Sequence, residues 1–349
     1  MAKTKVICTI GPASNTEEML EKLIKCGMSI ARFNMSHAWT QALIDLTQHQ
    51  MEMVQKLQKK LGGDVETALD TKGPDVRIGR FIEPVNVLAG QTFRFYFGEE
   101  HKNKMGDISG VFVPYEKLLT IVKVGAELRL NDGHVVMVIT DISNKIITAK
   151  VMAGGVLKNN KSLAAPGYDL QLPFISPEDE VDFKMAIAVG ADWIFASAVA
   201  KEQDVLDLRK FLDENGGKKV KIMSKIEDRI GMANLDKIIK ASDGIMVARG
   251  GLGTDVGLDK LPPMQKEIIA KTRKAGKVVV CATEILESMV DKPNATRAEA
   301  MDVANAVWDG ATHVMLSSET AAGKYPCECV SFMVAVATEA EKFKQYYRV

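Results

Sequence analysis

Short apolar runs alternate with helical patterns along most of this 349-residue chain. Such runs are typical of parallel β-strands that helices cover on both faces. We interpret eight of them as strands, at residues 6–10, 30–37, 67–70, 193–197, 220–225, 244–248, 278–282 and 313–317. Eight β/α units in roughly 250 residues predict an α/β fold of the (β/α)8 TIM barrel type. A doubly wound open sheet is the alternative, although no Gly-x-Gly-x-x-Gly or P-loop pattern follows an early strand.

The regular alternation stops after the third predicted strand. Residues from about 75 to 166 lose helical periodicity and contain short β-rich runs, and Asn131-Asp132-Gly133 is a hairpin signal. We therefore expect an all-β domain inserted after the third strand. The predicted organisation is 1–73 for the first part of the barrel, 74–166 for the inserted β domain and 167–349 for the second part of the barrel.

Capping patterns predict where two helices begin. Asn15, followed three residues later by Glu18, is the expected N-cap of the first helix. Ser176-Pro177-Glu178-Asp179 combines an N-cap, a proline at the first helical position and acidic residues in the first turn. Further helices are expected at 202–214, 228–240, 262–275, 297–308 and 327–345.

Charge and cysteine content argue against several classes of protein. The 45 basic and 45 acidic residues balance, so no net field favours nucleic acid or an anionic membrane as a partner. No apolar run approaches the ~18 residues that a membrane span needs, and no signal-peptide pattern precedes the first strand. Five cysteines without a Cys-x-x-Cys pattern favour buried, reduced thiols and a cytoplasmic location. Cys327 and Cys329 resemble half of a metal site, but no nearby Cys or His completes it.

Polar side chains follow most of the predicted barrel strands, at the end where barrel enzymes hold their chemistry. In the second strand, Arg32, Asn34 and Ser36 alternate with apolar residues and would project from one face. A guanidinium suits phosphate, and amide and hydroxyl oxygens suit a hard cation. Exposure to solvent is the simpler interpretation for any one of them. The other polar strand ends are Asp70 to Lys72, Ser197, Lys225 and Glu227, Arg249, Thr283, and Ser317 to Glu319.

Lys225 and Glu227 lie two residues apart and so share one face of a strand. On a surface such an ion pair contributes little, about 0–1 kcal/mol. At a barrel mouth the glutamate would suit Mg²⁺, and the lysine would suit the charge on a transferred group. Asp70 and Thr71 would add oxygens to those of the second strand. The basic residues that suit an oligophosphate are Arg32, Lys72, Arg77 and Lys161.

The glycines of Arg249-Gly250-Gly251-Leu252-Gly253 could present backbone N–H groups to an anion, or could simply form a flexible loop. Together with the cation and phosphate candidates, they favour phosphoryl transfer as the chemistry of this chain.

Eight motifs occur in a characteristic order along the chain. They are Cys8-Thr9-Ile10-Gly11-Pro12-Ala13-Ser14, Arg32-Phe33-Asn34-Met35-Ser36-His37, Leu69-Asp70-Thr71-Lys72-Gly73-Pro74, Ser224-Lys225-Ile226-Glu227, Ser242-Asp243-Gly244-Ile245-Met246-Val247-Ala248-Arg249-Gly250, Cys281-Ala282-Thr283, Thr296-Arg297-Ala298-Glu299 and Asp302-Val303-Ala304-Asn305-Ala306-Val307. With them, the chain resembles the pyruvate kinase family over essentially all of its length. The family's architecture is a barrel interrupted after its third strand by a β domain that closes over the nucleotide.

The resemblance implies a glycolytic reaction in which phosphoenolpyruvate and ADP give pyruvate and ATP, with Mg²⁺ or Mn²⁺ and with K⁺. Glu227 would be the Mg²⁺ ligand. The residues that would ligate K⁺ are Asn34, Ser36, Asp70 and Thr71. The residues that would face the nucleotide are His37, Arg77 and Lys161.

Five positions carry the family's substrate contacts. Arg32 would contact the substrate phosphate, and Gly250 and Gly251 would meet the substrate carboxylate at a short helix N-terminus. Lys225 would stabilise the transition state, and Thr283 would contact the substrate and assist the proton step on the enolate carbon.

The chain departs from the family pattern at one metal ligand. The family has Ala-Arg-Gly-Asp-Leu-Gly, whereas Gly251 stands here in place of the aspartate that is the second carboxylate on Mg²⁺. Even loss of an outer-shell partner typically weakens a metal site ~10–100-fold. Milder departures are Ala198-Val199-Ala200 for Phe-Ile-Arg, Glu284 for Gln, Ser318 for Gly, and Lys161-Ser162 for Lys-Gly.

Two main interpretations follow. The chain is an active pyruvate kinase, impaired or altered in its use of metal, or it is an inactive paralogue that binds ligands or regulates a partner. A different phosphoenolpyruvate or enolate enzyme on the same barrel is a weaker third. Because the chain ends at Val349, the family's C-terminal regulatory domain is expected to be absent. A homo-oligomer formed through the barrel is expected to remain.

Overall fold

The structure is a computed structural model that describes residues 3–37, 40–131 and 133–343. Its contacts divide the chain into two compact units. The barrel unit comprises Met1–Gly73, Phe174–Gly253 and Gly257–Val349, and the β unit comprises Pro74–Pro173 and Thr254–Val256.

The secondary structure of the described residues is as follows. The strands are β1 Lys5–Ile10, β2 Met28–Asn34, β3 Glu66–Asp70, β4 Val85–Val87, β5 Thr92–Tyr96, β6 Gly110–Phe112, β7 Glu127–Leu130, β8 Val135–Ser143, β9 Ile146–Ala153, β10 Gly155–Leu157, β11 Leu163–Ala164, β12 Trp193–Ala196, β13 Lys221–Ile226, β14 Gly244–Ala248, β15 Val278–Ala282 and β16 His313–Leu316. The α-helices are α1 Glu17–Cys26, α2 Gln41–Leu61, α3 Leu118–Ile121, α4 Pro177–Val189, α5 Glu202–Glu214, α6 Arg229–Ala233, α7 Leu235–Ala241, α8 Arg249–Val256, α9 Leu261–Lys274, α10 Arg297–Asp309, α11 Ser318–Ala321 and α12 Pro326–Phe343. Short 3₁₀ turns span Met35–His37, Glu99–His101 and Glu287–Val290.

The barrel unit is built on a closed ring of eight parallel strands, in the order β1, β2, β3, β12, β13, β14, β15 and β16. This confirms the predicted (β/α)8 barrel. Every strand contributes to one buried cluster, formed by Ile7, Ile30, Ala68, Trp193, Phe195, Met223, Met246, Val280, Ala282 and Met315. Because these side chains fill the interior, chemistry must lie at an end of the strands rather than inside the barrel.

The β unit contains a six-stranded sheet in the order β11-β7-β8-β9-β5-β6 and a two-stranded sheet of β4 and β10. Its core is centred on Phe93, Phe95 and Phe97, which are fully buried. The unit extends to Pro173 rather than to the expected 166, since apolar side chains of residues 168–172 pack on this core. Asp132 of the expected hairpin signal lies outside the described residues.

Several helix and strand boundaries differ from expectation for local reasons. β2 ends at Asn34, so Ser36 lies on a 3₁₀ turn and not on the strand face that its spacing predicted. The first helix is capped by Thr16 rather than Asn15, because the Thr16 hydroxyl accepts the N–H of Met19 at 3.3 Å.

The helix expected at 228–240 is two helices that meet at Asn234. Its Nδ2 donates to the carbonyls of Ala200 at 2.9 Å and Ile230 at 3.1 Å. The helix start at Ser176 is confirmed, and a reciprocal capping box with Asp179 forms there. The last two residues of the helix expected at 327–345 lie outside the described residues.

Within the described ranges, no helix is long and apolar enough to cross a membrane. All five cysteines are free thiols, but Cys26 and Cys327 are half-buried, so the expectation of uniformly buried thiols is wrong for these two. The described residues also contain no group of three or more His, Cys, Asp or Glu side chains arranged to hold a metal ion.

Candidate active site

A network of charged side chains lies at the carboxyl ends of β2, β3 and β13. The ammonium of Lys225 is 2.9 Å from Asp70 Oδ1 and 3.2 Å from Glu227 Oε1, and it donates to Ser197 Oγ at 2.7 Å. The other oxygen of Asp70 accepts from Arg32 Nε at 2.6 Å. Sequence spacing predicted the Lys225–Glu227 pair, and the barrel brings it to the residues of the earlier strands.

The charges in this network stabilise one another. Burial by itself would lower the pKa of Lys225, but the carboxylates of Asp70 and Glu227 outweigh it and raise that pKa above its ordinary value. Burial would raise the pKa of Asp70, but Arg32 and Lys225 lower it. Both groups are therefore charged near neutral pH, and a buried cation is available at the mouth of the barrel.

Arg32 makes more hydrogen bonds within the protein than the sequence suggested. In addition to its bond to Asp70, its Nη1 donates to the Thr9 hydroxyl at 2.8 Å, and the side chain is almost fully buried. These bonds use two of the five N–H groups of the guanidinium, so an anion would have to meet the other donors of Nη1 and Nη2.

The residues expected to ligate K⁺ are partly brought together. Asn34 and Asp70 are register partners on β2 and β3, and Asn34 Oδ1 accepts the N–H of Ser36 at 3.1 Å. The Thr71 carbonyl accepts the Ser197 hydroxyl at 2.7 Å. A carboxylate has about four lone-pair sites, so Asp70 keeps acceptor capacity beside its two cationic partners. These oxygens fit a cation of low charge, because Asp70 would share its negative charge among that cation, Arg32 and Lys225.

The start of α8 faces Glu227. A Cβ built on Gly251 would lie 3.0 Å from Glu227 Cβ and 3.1 Å from Glu227 Oε2. A carboxylate at position 251 would thus stand beside that of Glu227, where two acidic residues could share one cation. Because residue 251 is a glycine, positions 227 and 251 together supply one carboxylate, that of Glu227. Such a set fits Mg²⁺ when water and substrate oxygens complete the coordination, as Mg²⁺ commonly allows.

Thr283 has a strained backbone at the end of β15. Its φ is 78°, and that of Glu284 is 51°, both in the left-handed region. For a β-branched residue this is a genuine outlier, and such conformations cost roughly 1–3 kcal/mol and cluster at functional sites. A Cβ on Gly250 would lie 3.1 Å from Thr283 Cγ2, so the threonine side chain lies over the start of α8.

Lys72 does not stand free as an oligophosphate ligand. Its ammonium is 2.8 Å from Asp182 Oδ2, on the first turns of α4, and Asp182 is fully buried. Burial raises the pKa of Asp182, although Lys72 opposes this. Sequence reasoning missed Asp182, although the acidic first turn of α4 was a visible signal.

The residues expected to face the nucleotide are distributed over the two units. His37 closes the 3₁₀ turn after β2 in the barrel unit, and its side chain lies outside the described part of the chain. In the β unit, Arg77 is 2.9 Å from Asp75 and donates to the Asn160 carbonyl at 2.9 Å. The carbonyl of Lys161 accepts the N–H of Ile78 at 3.0 Å. Their nucleotide role stays a prediction.

A packed parallel barrel whose strand ends gather a buried lysine, two carboxylates and a strained threonine has the organisation of a barrel enzyme. The family model for the pyruvate kinase barrel domain matches residues 1–330. The chain is 41% identical to a pyruvate kinase of Staphylococcus saprophyticus and 39% identical to one of Bacillus licheniformis, covering 100% of this chain and 59% of each relative. It is 40% identical to a pyruvate kinase of Clostridium acetobutylicum, over 99% of this chain and 72% of that relative. The chain belongs to the pyruvate kinase family.

Proposed function

We propose that this chain transfers the phosphoryl group of phosphoenolpyruvate to ADP and forms pyruvate and ATP. The observation that carries the proposal is the Lys225 ammonium, held between Asp70 at 2.9 Å and Glu227 at 3.2 Å in a site with little exposure to water. Preorganised charge in such a site is usually the largest contribution to phosphoryl transfer.

The reaction breaks the bond between phosphorus and the enol oxygen and forms a bond between phosphorus and a terminal oxygen of ADP. Lys225 would stabilise the negative charge on the transferred group and on the enolate oxygen. Its three N–H groups already meet Asp70, Ser197 and Glu227, so a substrate oxygen would replace or share one of them. Glu227, with 25% of its side chain exposed, is the partner that can most readily be released.

The enolate that remains must gain a proton at carbon to become pyruvate. Thr283, over the start of α8, would assist this step by holding a proton donor near the enolate carbon. The first residues of α8, at Gly250 and Gly251, would receive the substrate carboxylate at the positive end of the helix dipole.

We propose Mg²⁺ or Mn²⁺ at Glu227 and K⁺ at Asn34, Ser36, Asp70 and Thr71. When bound, the divalent ion would neutralise phosphate charge during transfer. A cytoplasmic location and a homo-oligomer formed through the barrel are part of the same proposal. The chain spans 59% of the length of the staphylococcal and Bacillus relatives, and the activity of a whole relative is a proposal for this chain.

One observation favours a second function, that of an inactive paralogue that binds ligands or regulates a partner. Position 251 lies beside Glu227 but supplies no carboxylate. A divalent ion would therefore depend on oxygens of the substrate, and binding without turnover would result if they were too few.

The deciding experiment compares pyruvate formation by the unmodified protein and by Gly251→Asp, with Mg²⁺ or Mn²⁺ and with K⁺. Activity in the unmodified protein supports the first function. Activity only in Gly251→Asp locates the defect in one missing carboxylate and supports the paralogue. If neither protein forms pyruvate, and calorimetry shows that phosphoenolpyruvate still binds, catalysis by this site is refuted.

A Mn²⁺ titration followed by electron paramagnetic resonance gives a readout that is independent of turnover. Two carboxylates should bind the ion more tightly than one, so Gly251→Asp is expected to lower its Kd about tenfold or more. Gly253→Ala is the matched control on the same helix, since a Cβ there meets Leu258 and Leu261 rather than Glu227. Equal affinity in all three proteins would contradict Glu227 as the metal position.

A further inference from the structure

The Arg249 guanidinium connects three elements of the barrel unit. Its Nε donates to the carbonyls of Ala282 at 3.1 Å and Thr283 at 3.0 Å, and Nη2 also donates to the Thr283 carbonyl. Its Nη1 donates to both carboxylate oxygens of Asp302, at 2.9 and 2.7 Å. Arg249 begins α8, Thr283 follows β15 and Asp302 lies in α10. One side chain therefore fixes the spacing of all three.

The backbone of Thr283 needs this kind of support. A β-branched residue at φ 78° persists only when its surroundings over-determine the conformation. Here the guanidinium holds the Thr283 carbonyl through two of its nitrogens, and only 12% of the Arg249 side chain is exposed, so water competes weakly. Because a guanidinium is planar and rigid, the orientation of the Nε and Nη2 atoms that face Thr283 depends on what binds Nη1, on the far side of the fork.

Asp302 is the group that holds the far side of the fork. Its neighbours in the motif, Val303 and Ala304, are buried and are explained by packing, whereas Asp302 is 32% exposed and aims its carboxylate at Arg249. Burial would lower the pKa of Arg249, but the negative charges around it, that of Asp302 among them, outweigh burial and raise this pKa, so the guanidinium stays charged.

We propose that Asp302 is a positioning residue for the proton step at Thr283, a role that rests on the proposed phosphotransferase function. Asp302 orients the Arg249 fork, and the fork holds Thr283 in its left-handed turn so that its side chain stays over Gly250 at the start of α8. Asp302 acts through Arg249 and does not touch the substrate.

The proton step can be measured by itself. In D₂O, breaking a methyl C–H bond of pyruvate gives the enolate, and return of a deuteron from solvent forms a C–D bond, which proton NMR detects. Asp302→Ala is expected to slow both this exchange and kcat about tenfold or more, while KM for phosphoenolpyruvate changes less than about threefold. Asp302→Asn should fall between, because its amide oxygen still accepts one N–H of Arg249.

The matched control is Asp309→Asn, on the same helix. The Asp309 carboxylate pairs with the Lys266 ammonium at 2.6 Å, whereas Arg249 pairs with Asp302. This control variant should stay within about twofold of the unmodified protein in both assays. If Asp302→Ala behaves like Asp309→Asn in exchange and in kcat, the positioning role is refuted.

A crystallographic comparison separates this inference from the proposed function. In the Asp302→Ala structure, the Thr283 backbone is expected to leave the positive-φ region or to turn its carbonyl away from Arg249. An unmoved Thr283 overturns the positioning role, whatever the activity. Absence of pyruvate formation and of exchange in the unmodified protein instead refutes the proposed function.

Discussion

Asp70 is the residue on which the charge balance of the site depends. Its side chain is 1% exposed and binds both Arg32 and Lys225. Because each cation is itself nearly buried, neither could be hydrated well if the carboxylate were removed. The residue therefore has a structural role that is separate from any contact with K⁺.

Replacing Asp70 by asparagine tests this structural role. Breaking a buried ion pair from one side typically costs ~3–5 kcal/mol, so Asp70→Asn is expected to destabilise the barrel unit by roughly 3 kcal/mol. Urea unfolding followed by tryptophan fluorescence measures this, since Trp193 and Trp308 belong to the barrel unit.

The control is Asp236→Asn, whose partner is Lys271 and whose side chain is 75% exposed. An exposed pair contributes about 0–1 kcal/mol, so this change should be small. Equal losses in the two variants would contradict the view that Asp70 neutralises two buried cations.

At the residue scale, the sequence predicted which side chains would be at the barrel mouth but not how they would pair. Lys225 and Glu227 share a strand, so their proximity followed from spacing. The bonds of Asp70 to Arg32 and of Arg249 to Asp302 join residues 38 and 53 positions apart, and no local pattern encodes them.

The elements that carry these residues are fixed by their ends. α4, which holds Asp182 against Lys72, begins with a capping box in which Ser176 Oγ accepts the N–H of Asp179 at 3.0 Å and Asp179 Oδ2 accepts the N–H of Ser176 at 3.0 Å. The box thereby gives a partner to two backbone N–H groups at the start of the helix, those of Ser176 and Asp179.

Removing the cap should loosen α4 measurably. Ser176→Ala is expected to cost about 1 kcal/mol of unfolding free energy, whereas Ser176→Gly should cost only about a few tenths. The same tryptophan-detected urea titration distinguishes the two. A glycine variant as unstable as the alanine variant would show that the hydroxyl, and not the extended backbone of the cap, is the whole effect.

At the element scale, patterns with a local cause were predicted well. The N-cap at Ser176, with a proline at the first helical position and acidic residues in the first turn, is a local pattern and occurs as expected. Asn234 interrupts a helical pattern because its side chain binds the Ala200 carbonyl on another segment. Ser36 lies on a 3₁₀ turn rather than on the predicted strand, and the alternation of side chains gave no signal for that turn.

The stability of the molecule as a whole should depend on pH through His313, at the start of β16. Burial and the positive charge of Lys5 lower the pKa of His313 to about 4 from an ordinary value of 6.5, and its Nδ1 is 2.8 Å from the Thr312 hydroxyl. Glu66 opposes this shift, and Lys221 adds to it. The imidazole is therefore neutral in the folded protein at mildly acidic pH.

The sign of the effect follows from proton binding. Between pH 6.5 and 4 the unfolded chain binds a proton at His313 that the folded chain does not, so stability falls as pH decreases through this window. The loss is complete below pH 4 and amounts to about 3 kcal/mol. Urea titrations at pH 7 and pH 5 should show a shallower pH dependence for His313→Gln than for the unmodified protein. Parallel pH profiles would contradict this account.

At the scale of the whole molecule, the sequence predicted the barrel and the inserted β region, because eight apolar runs have few other arrangements. It placed the end of the insertion at 166 rather than 173, since residues 167–173 form no strand or helix to mark a boundary. Their membership in the β unit comes from packing on its core.

The central claim is that Lys225 stabilises phosphoryl transfer from phosphoenolpyruvate to ADP. Phosphorus NMR of ATP formation tests it most directly, with Lys225→Met compared with Lys221→Met, which lies on the same strand but binds Glu66 at 2.7 Å. We predict ATP formation by the unmodified protein and by Lys221→Met, and a loss of about 10²–10³-fold or more in Lys225→Met. Equal rates for Lys225→Met and the unmodified protein would contradict the account.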